Sequence, residues 1–281
     1  MTGTGLIGRV RDAGAGVGPV GRQSPGWQVV AEQECRDLWW SGRGPGLVFA
    51  FSVVLSVMTY LAGTGQVLNF LEQREAVNLT LQVAVAVGVL VTLVVSADAI
   101  SGERERGTLE SLLLTPVSRR AIVVGKLAAA LSLWLATFVV SVPYLWVLGR
   151  GVSLVGAALL LGLLVGTLLA VALALLGLLI SAVGSSNKVS LAVSLFVLLA
   201  LFAPTQLPGG TPKGWFGDLL VRLNPVDASL HYLAAVLVTG HTWTRDLSLL
   251  LSPLVTAVLA GGVLVAAGHR IVRLHGGVSG E

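Results

Sequence analysis

Apolar residues gather in six long runs, near 46–64, 80–100, 121–148, 152–183, 188–206 and 248–268, separated by polar breaks. Each run reaches the roughly 18–20 residues that a helix needs to cross about 30 Å of hydrocarbon. The pattern predicts an all-α, polytopic membrane protein with six transmembrane helices over residues 45–268. The run at 152–183 is overlong, about 48 Å as a straight helix, so it should protrude or bend.

The flanking segments add shorter elements. Ahead of the first run, Trp27, Ala31, Cys35 and Leu38 share one helical face, with Val30 and Trp39 beside them. Gln28, Glu32, Gln33, Arg36 and Asp37 lie mostly opposite. Such a stripe predicts an amphipathic elbow helix over 26–44, in the membrane interface with its tryptophans at headgroup depth. The alternative is a short helix packed on the protein itself. Residues 207–247 form a long outer loop, with short helical patterns near 215–223 and 226–238. Asn224-Pro225 separates the two, and Asp227 is a candidate cap for the second. Both fall well short of a span, as interfacial or re-entrant helices do.

Composition supports this reading. Only 11% of residues are charged and mean hydropathy is +0.87, where a soluble domain carries about a quarter charged residues. The formal +4 charge comes from Lys and Arg in the breaks between runs, which indicates orientation in a membrane rather than a nucleic-acid partner. With the N-terminus inside, 13 of the 18 Lys and Arg fall on the inner side, and both termini are cytoplasmic. Residues 1–25 are Gly-rich and lack the continuous apolar core of a signal peptide, so a disordered cytoplasmic tail is expected there, and a second cytoplasmic tail over 269–281. Cys35 stands alone, which excludes an internal disulfide. The four histidines lack metal-ligand spacing. Gly162 and Gly166 have the small-residue spacing of close helix packing.

The most structured polar segment is the break between the second and third runs. The second helix can continue to Arg106, with Gly107 as its stop and Thr108 as cap of a new short helix. Leu109, Leu112 and Leu113 then make an apolar stripe, Glu110 stands in the first turn, and Pro116 ends the element. Ser118 can cap the third span, whose first turns carry Arg119, Arg120 and Lys126. A simple helix connection needs only two to eight residues, so the loop 101–120 is expected to be a capped knob rather than a bare turn. Asp98 and Lys126 are the charges nearest membrane depth. They are expected to pair across the second and third spans, or else to snorkel separately to the headgroups.

The stretch Glu103-Arg-Glu-Arg-Gly-Thr-Leu-Glu-Ser-Leu-Leu-Leu-Thr-Pro-Val-Ser-Arg119 resembles the signature loop of ABC-2-type transporter permeases, the membrane subunits of ATP-binding-cassette exporters. Asp98-Ala-Ile-Ser, Gly125-Lys126 and the Trp-Gln-Val-Val-Ala-Glu-Gln-Glu helix fit the same family. The resemblance implies that this loop carries a coupling helix seated in a groove of an ATPase subunit. Glu103, Arg104, Glu105, Gly107, Thr108, Leu109, Glu110, Leu113 and Pro116 would make that contact. It also implies a second permease copy or a sister permease, a substrate route along the subunit interface, and a place in the inner (cytoplasmic) membrane. ATP and Mg would belong to the partner ATPase. The chain lacks Gly-x-x-x-x-Gly-Lys-[Ser/Thr], because Gly125-Lys126 is followed by Leu127. It is therefore expected to hold no cofactor and to be no enzyme alone. Two other classes stay open: a membrane scaffold whose associated ATPase drives assembly or signalling, and a polytopic membrane enzyme. The enzyme would need convergent catalytic residues at membrane depth, and none stands out. Spans of Leu, Val and Ala with scattered Ser and Thr leave the cargo open.

Overall fold

The computed structural model describes residues 25–64, 70–108, 118–150, 153–206 and 214–267, and the regular elements among them are all helical. In chain order they are α1 (Gly26–Trp40), α2 (Arg43–Thr64), α3 (Phe70–Arg106), α4 (Arg119–Leu148) and α5 (Val155–Val183). After these come α6 (Asn187–Phe202), α7 (Trp215–Leu223), α8 (Pro225–Leu237) and α9 (Leu251–Ala267). Short 3₁₀ turns stand at Ala203–Gln206 and Leu247–Leu250.

Among the described residues, five segments are long and apolar enough to cross a membrane: Arg43–Leu61, Gln73–Arg106, Arg119–Leu148, Val155–Val183 and Leu247–Ala266. The run expected as a full span over 188–206 is different. Its α-helix, α6, has 16 residues, about 24 Å at 1.5 Å per residue. Pro204 has no N–H to donate back along the helix, and the chain tightens into the 3₁₀ turn there.

α3 is longer than its apolar run. It starts at Phe70 and covers 37 residues, about 55 Å. Its polar first turns gain their partners from α4: Gln73 Nε2 donates to the carbonyls of Leu148 (3.1 Å) and Arg150 (2.9 Å) at the α4 terminus. Such a contact between distant segments leaves no trace in hydrophobic periodicity.

α5 is the central helix, with α3 and α4 packed along it. Gly177 lets α3 come close, since a Cβ there would lie 2.9 Å from the Leu93 carbonyl oxygen. The Gly162/Gly166 pair accepts large side chains rather than a helix backbone. A Cβ on Gly162 would meet Leu81 at 2.6 Å, and one on Gly166 would meet the Trp134 ring at 2.5 Å. Trp134 is fully buried and donates Nε1 to Thr167 Oγ1 at 3.0 Å. By contrast α2 and α9 lie at the margin, with Phe49, Val57 and Leu61, and Val258, Leu259 and Val263, all exposed.

The elbow element ends earlier than 26–44. Gly42 takes φ +80, a left-handed conformation open to glycine at no steric cost, and Arg43 and Gly44 already belong to α2. α1 lies on the protein along α4. Val30 is buried against Gly125, where a Cβ would stand 2.6 Å from Val30 Cγ1, and Trp39 Nε1 donates to Ser132 Oγ at 3.2 Å.

α7 and α8 occupy nearly their expected limits, but the cap of α8 is Asn224 rather than Asp227. Asn224 Oδ1 accepts from the N–H groups of Val226 (3.0 Å) and Asp227 (3.3 Å), and Nδ2 donates to the Leu201 carbonyl at 2.6 Å. Pro225 takes the first helical position, where its missing N–H is no loss. That shift places Asp227 inside the first turn. Ten of the 13 residues of α8 are buried, with Tyr232, Leu233 and Leu237 in the same core as α3 and α5.

Candidate functional site

The last turns of α3, residues 98–106, send polar side chains to four other helices, and through Lys126 of α4 they meet a fifth, α1. Their spacing explains how. Residues five apart on an α-helix point about 140° apart, so Asp98 and Glu103 look toward different neighbours.

Asp98 faces α2 and α6. It accepts from Asn187 Nδ2 at 2.6 Å and from Arg43 Nη1 at 3.3 Å, with Arg106 Nη1 at 3.8 Å. Gly102 leaves the space that this carboxylate occupies. Glu103 faces α4, where its Oε1 accepts from Lys126 Nζ at 2.6 Å. The same ammonium donates to Glu34 Oε1 on α1, also at 2.6 Å. The Lys126 side chain is 1% exposed. The expected Asp98–Lys126 pair is therefore not made: each charge has its own partners, and the α3 acid that joins Glu34 on Lys126 lies five residues beyond Asp98.

Two carboxylates around one buried ammonium form a costly arrangement held by short charge-assisted bonds. It locks the relative positions of α1, α3 and α4. Among the described residues, Glu103 Oε2 is buried without a hydrogen-bond partner.

Arg104 turns to α5. Its Nη1 donates to the Gly184 carbonyl and its Nη2 to the Ala182 carbonyl at 3.0 Å. These oxygens belong to the last turn of α5 and to the residue that caps it, where carbonyls lack intrahelical partners and a cation suits the helix dipole. Beside it, Ser181 Oγ accepts the N–H groups of Ile100 (3.0 Å) and Ser101 (2.9 Å).

α3 ends in a Schellman arrangement. Thr108 N donates to the Glu103 carbonyl at 3.0 Å, Gly107 N donates to the Arg104 carbonyl at 3.2 Å, and Gly107 takes φ +70. α4 starts on a capped Ser118, whose Oγ accepts from Ala121 N at 3.3 Å. Both stems of the loop are thus fixed. Leu109, Glu110, Leu113 and Pro116 lie outside the described residues.

The residues grouped by sequence as one contact set therefore divide. Glu103 and Arg104 bond inward to other helices, whereas Glu105, Gly107 and Thr108 are exposed. Sequence reasoning missed Glu34, Arg43, Ser181 and Asn187. Glu34 did leave a signal, because it follows Val30 by four and precedes Leu38 by four. A carboxylate in the stripe that faces the protein calls for a buried cation.

The family model described as ABC-2 family transporter protein matches residues 28–267. No curated protein matches the chain.

Proposed function

The chain belongs to the ABC-2 family of transporter proteins, and from that premise we propose that it is the permease subunit of an exporter, coupled to a separate ATPase through the loop between α3 and α4. In this reading ATP and Mg reside in that partner, and this polypeptide supplies the membrane pathway together with a second permease copy or a sister permease. α6, continued by its 3₁₀ turn, serves as the sixth crossing. The protein lies in the inner membrane, with both termini and the α3–α4 loop on the cytoplasmic side. The excess of Lys and Arg on that side, including Arg104, Arg106, Arg119 and Arg120, supports this orientation.

One observation carries the coupling role. The stems of the loop are capped at Gly107 and Ser118 and braced by Glu103–Lys126 and Arg104. A push on its tip then reaches the helices as rigid-body displacement instead of being absorbed by fraying ends. Glu105, Gly107 and Thr108, with Leu109, Glu110, Leu113 and Pro116 beyond them, make the contact surface. Glu103 and Arg104 hold that surface in place.

The test is the double variant Leu109→Ala/Leu113→Ala in the complex reconstituted in vesicles. The expected result is retained ATP hydrolysis with transport lost. Unchanged transport would count against the coupling role.

A further inference from the structure

The connection between α5 and α6 lies at the same end of the bundle as the α3–α4 loop, and it is built for contact rather than reach. It is short, Gly184 packs directly on Ser190, and Ser186 caps α6 by accepting from Val189 N at 3.3 Å. Residues 98–104 of α3 hold residues 181–187 through seven hydrogen bonds. Arg104 makes two of them with one planar group, a fork that a point-charge ammonium does not reproduce. Asn187, the first residue of α6, donates to Asp98 and accepts from Ser101 Oγ at 3.1 Å.

We propose that Arg104 is a positioning residue that makes the 184–187 turn, and with it α5 and α6, follow the end of α3. One input at α3 is thereby delivered to three helices, and the turn needs no contact of its own with a motor subunit. The motor in this statement rests on the function proposed above; the linkage between α3 and the turn does not.

The experiment uses the full chain with its co-purified ATPase in lipid nanodiscs. Cys35 is replaced by serine, and spin labels are attached at Arg106→Cys and Ser185→Cys, both exposed positions. The expected result is a narrow distance distribution that ATP does not shift. Arg104→Gln should broaden it without nucleotide and let ATP shift it, while hydrolysis continues. Arg104→Lys should fall between the two. A parent distance that shifts with ATP, or an Arg104→Gln distribution as narrow as the parent's, would overturn the proposal. If Arg104→Gln does not fold, the parent's response to ATP and the Arg104→Lys width decide. If no ATPase accompanies the chain, the exporter reading fails, and the nucleotide-free widths still judge the role of Arg104.

Discussion

Glu103 and Lys126 meet at 2.6 Å between the loop-bearing ends of α3 and α4, with the lysine almost wholly withdrawn from solvent. Glu34 closes on the same ammonium from α1. This triad is the point at which the helix before the first span, the stem of the loop and the helix after the loop are joined.

Removing the cation alone should be severe. Lys126→Met leaves two carboxylates facing each other in a nearly closed site, and breaking a buried pair from one side costs about 3–5 kcal/mol. The triple variant Lys126→Met/Glu34→Gln/Glu103→Gln should be less destabilised than the single one, because no uncompensated charge stays behind. Thermal unfolding in detergent gives the ranking. A single variant as stable as the parent would mean that the triad does not hold α1 against α4.

The glycines of α5 make a paired comparison. A Cβ on Gly166 would press into the Trp134 ring, and inserting carbon into a packed core costs about 1–3 kcal/mol. Gly166→Ala should lower the unfolding temperature and alter tryptophan fluorescence. Gly156 has open space around its Cβ position, so Gly156→Ala should gain about 0.5–1 kcal/mol from helix propensity. Equal effects at the two positions would contradict the packing described for Trp134.

Asn224 should matter more than its neighbour Asp227 for starting α8. Asn224→Ala removes the cap and the bond to Leu201, a loss of about 0.5–2 kcal/mol for the cap alone. Asn224→Asp keeps the accepting oxygen but loses the donor, and should fall between parent and alanine. Hydrogen exchange of the Val226 and Asp227 amides reads the cap directly; unchanged protection in Asn224→Ala would tell against it.

Much of the fold was legible because hydrocarbon thickness imposes length and apolarity on every crossing. The ends of α3 at Arg106 and of α4 at Ser118 were legible too, because Gly107 and Ser118 have clear local chemistry. What escaped was decided by partners distant in sequence. α3 extends to Phe70 with Gln73 capping α4, and Lys126 chooses Glu103 and Glu34 over Asp98. The sequence shows that a charge at membrane depth needs a partner. Which partner depends on helix rotation, and the apolar runs of α3 and α4 leave their rotation unspecified. The cap of α8 failed for a local reason, since Asn224 and Asp227 are both good capping residues and Pro225 places the start.

As proposed, the tip between α3 and α4 is a docking surface for a motor subunit on the cytoplasmic side. A photo-crosslinking amino acid in place of the exposed Thr108, irradiated in intact cells, tests it most directly. The expected result is an adduct between this chain and an ATP-binding-cassette ATPase subunit, with position 108 shielded from membrane-impermeant reagents added outside. Labelling of that position from outside, or crosslinks that never contain such a subunit, would contradict it.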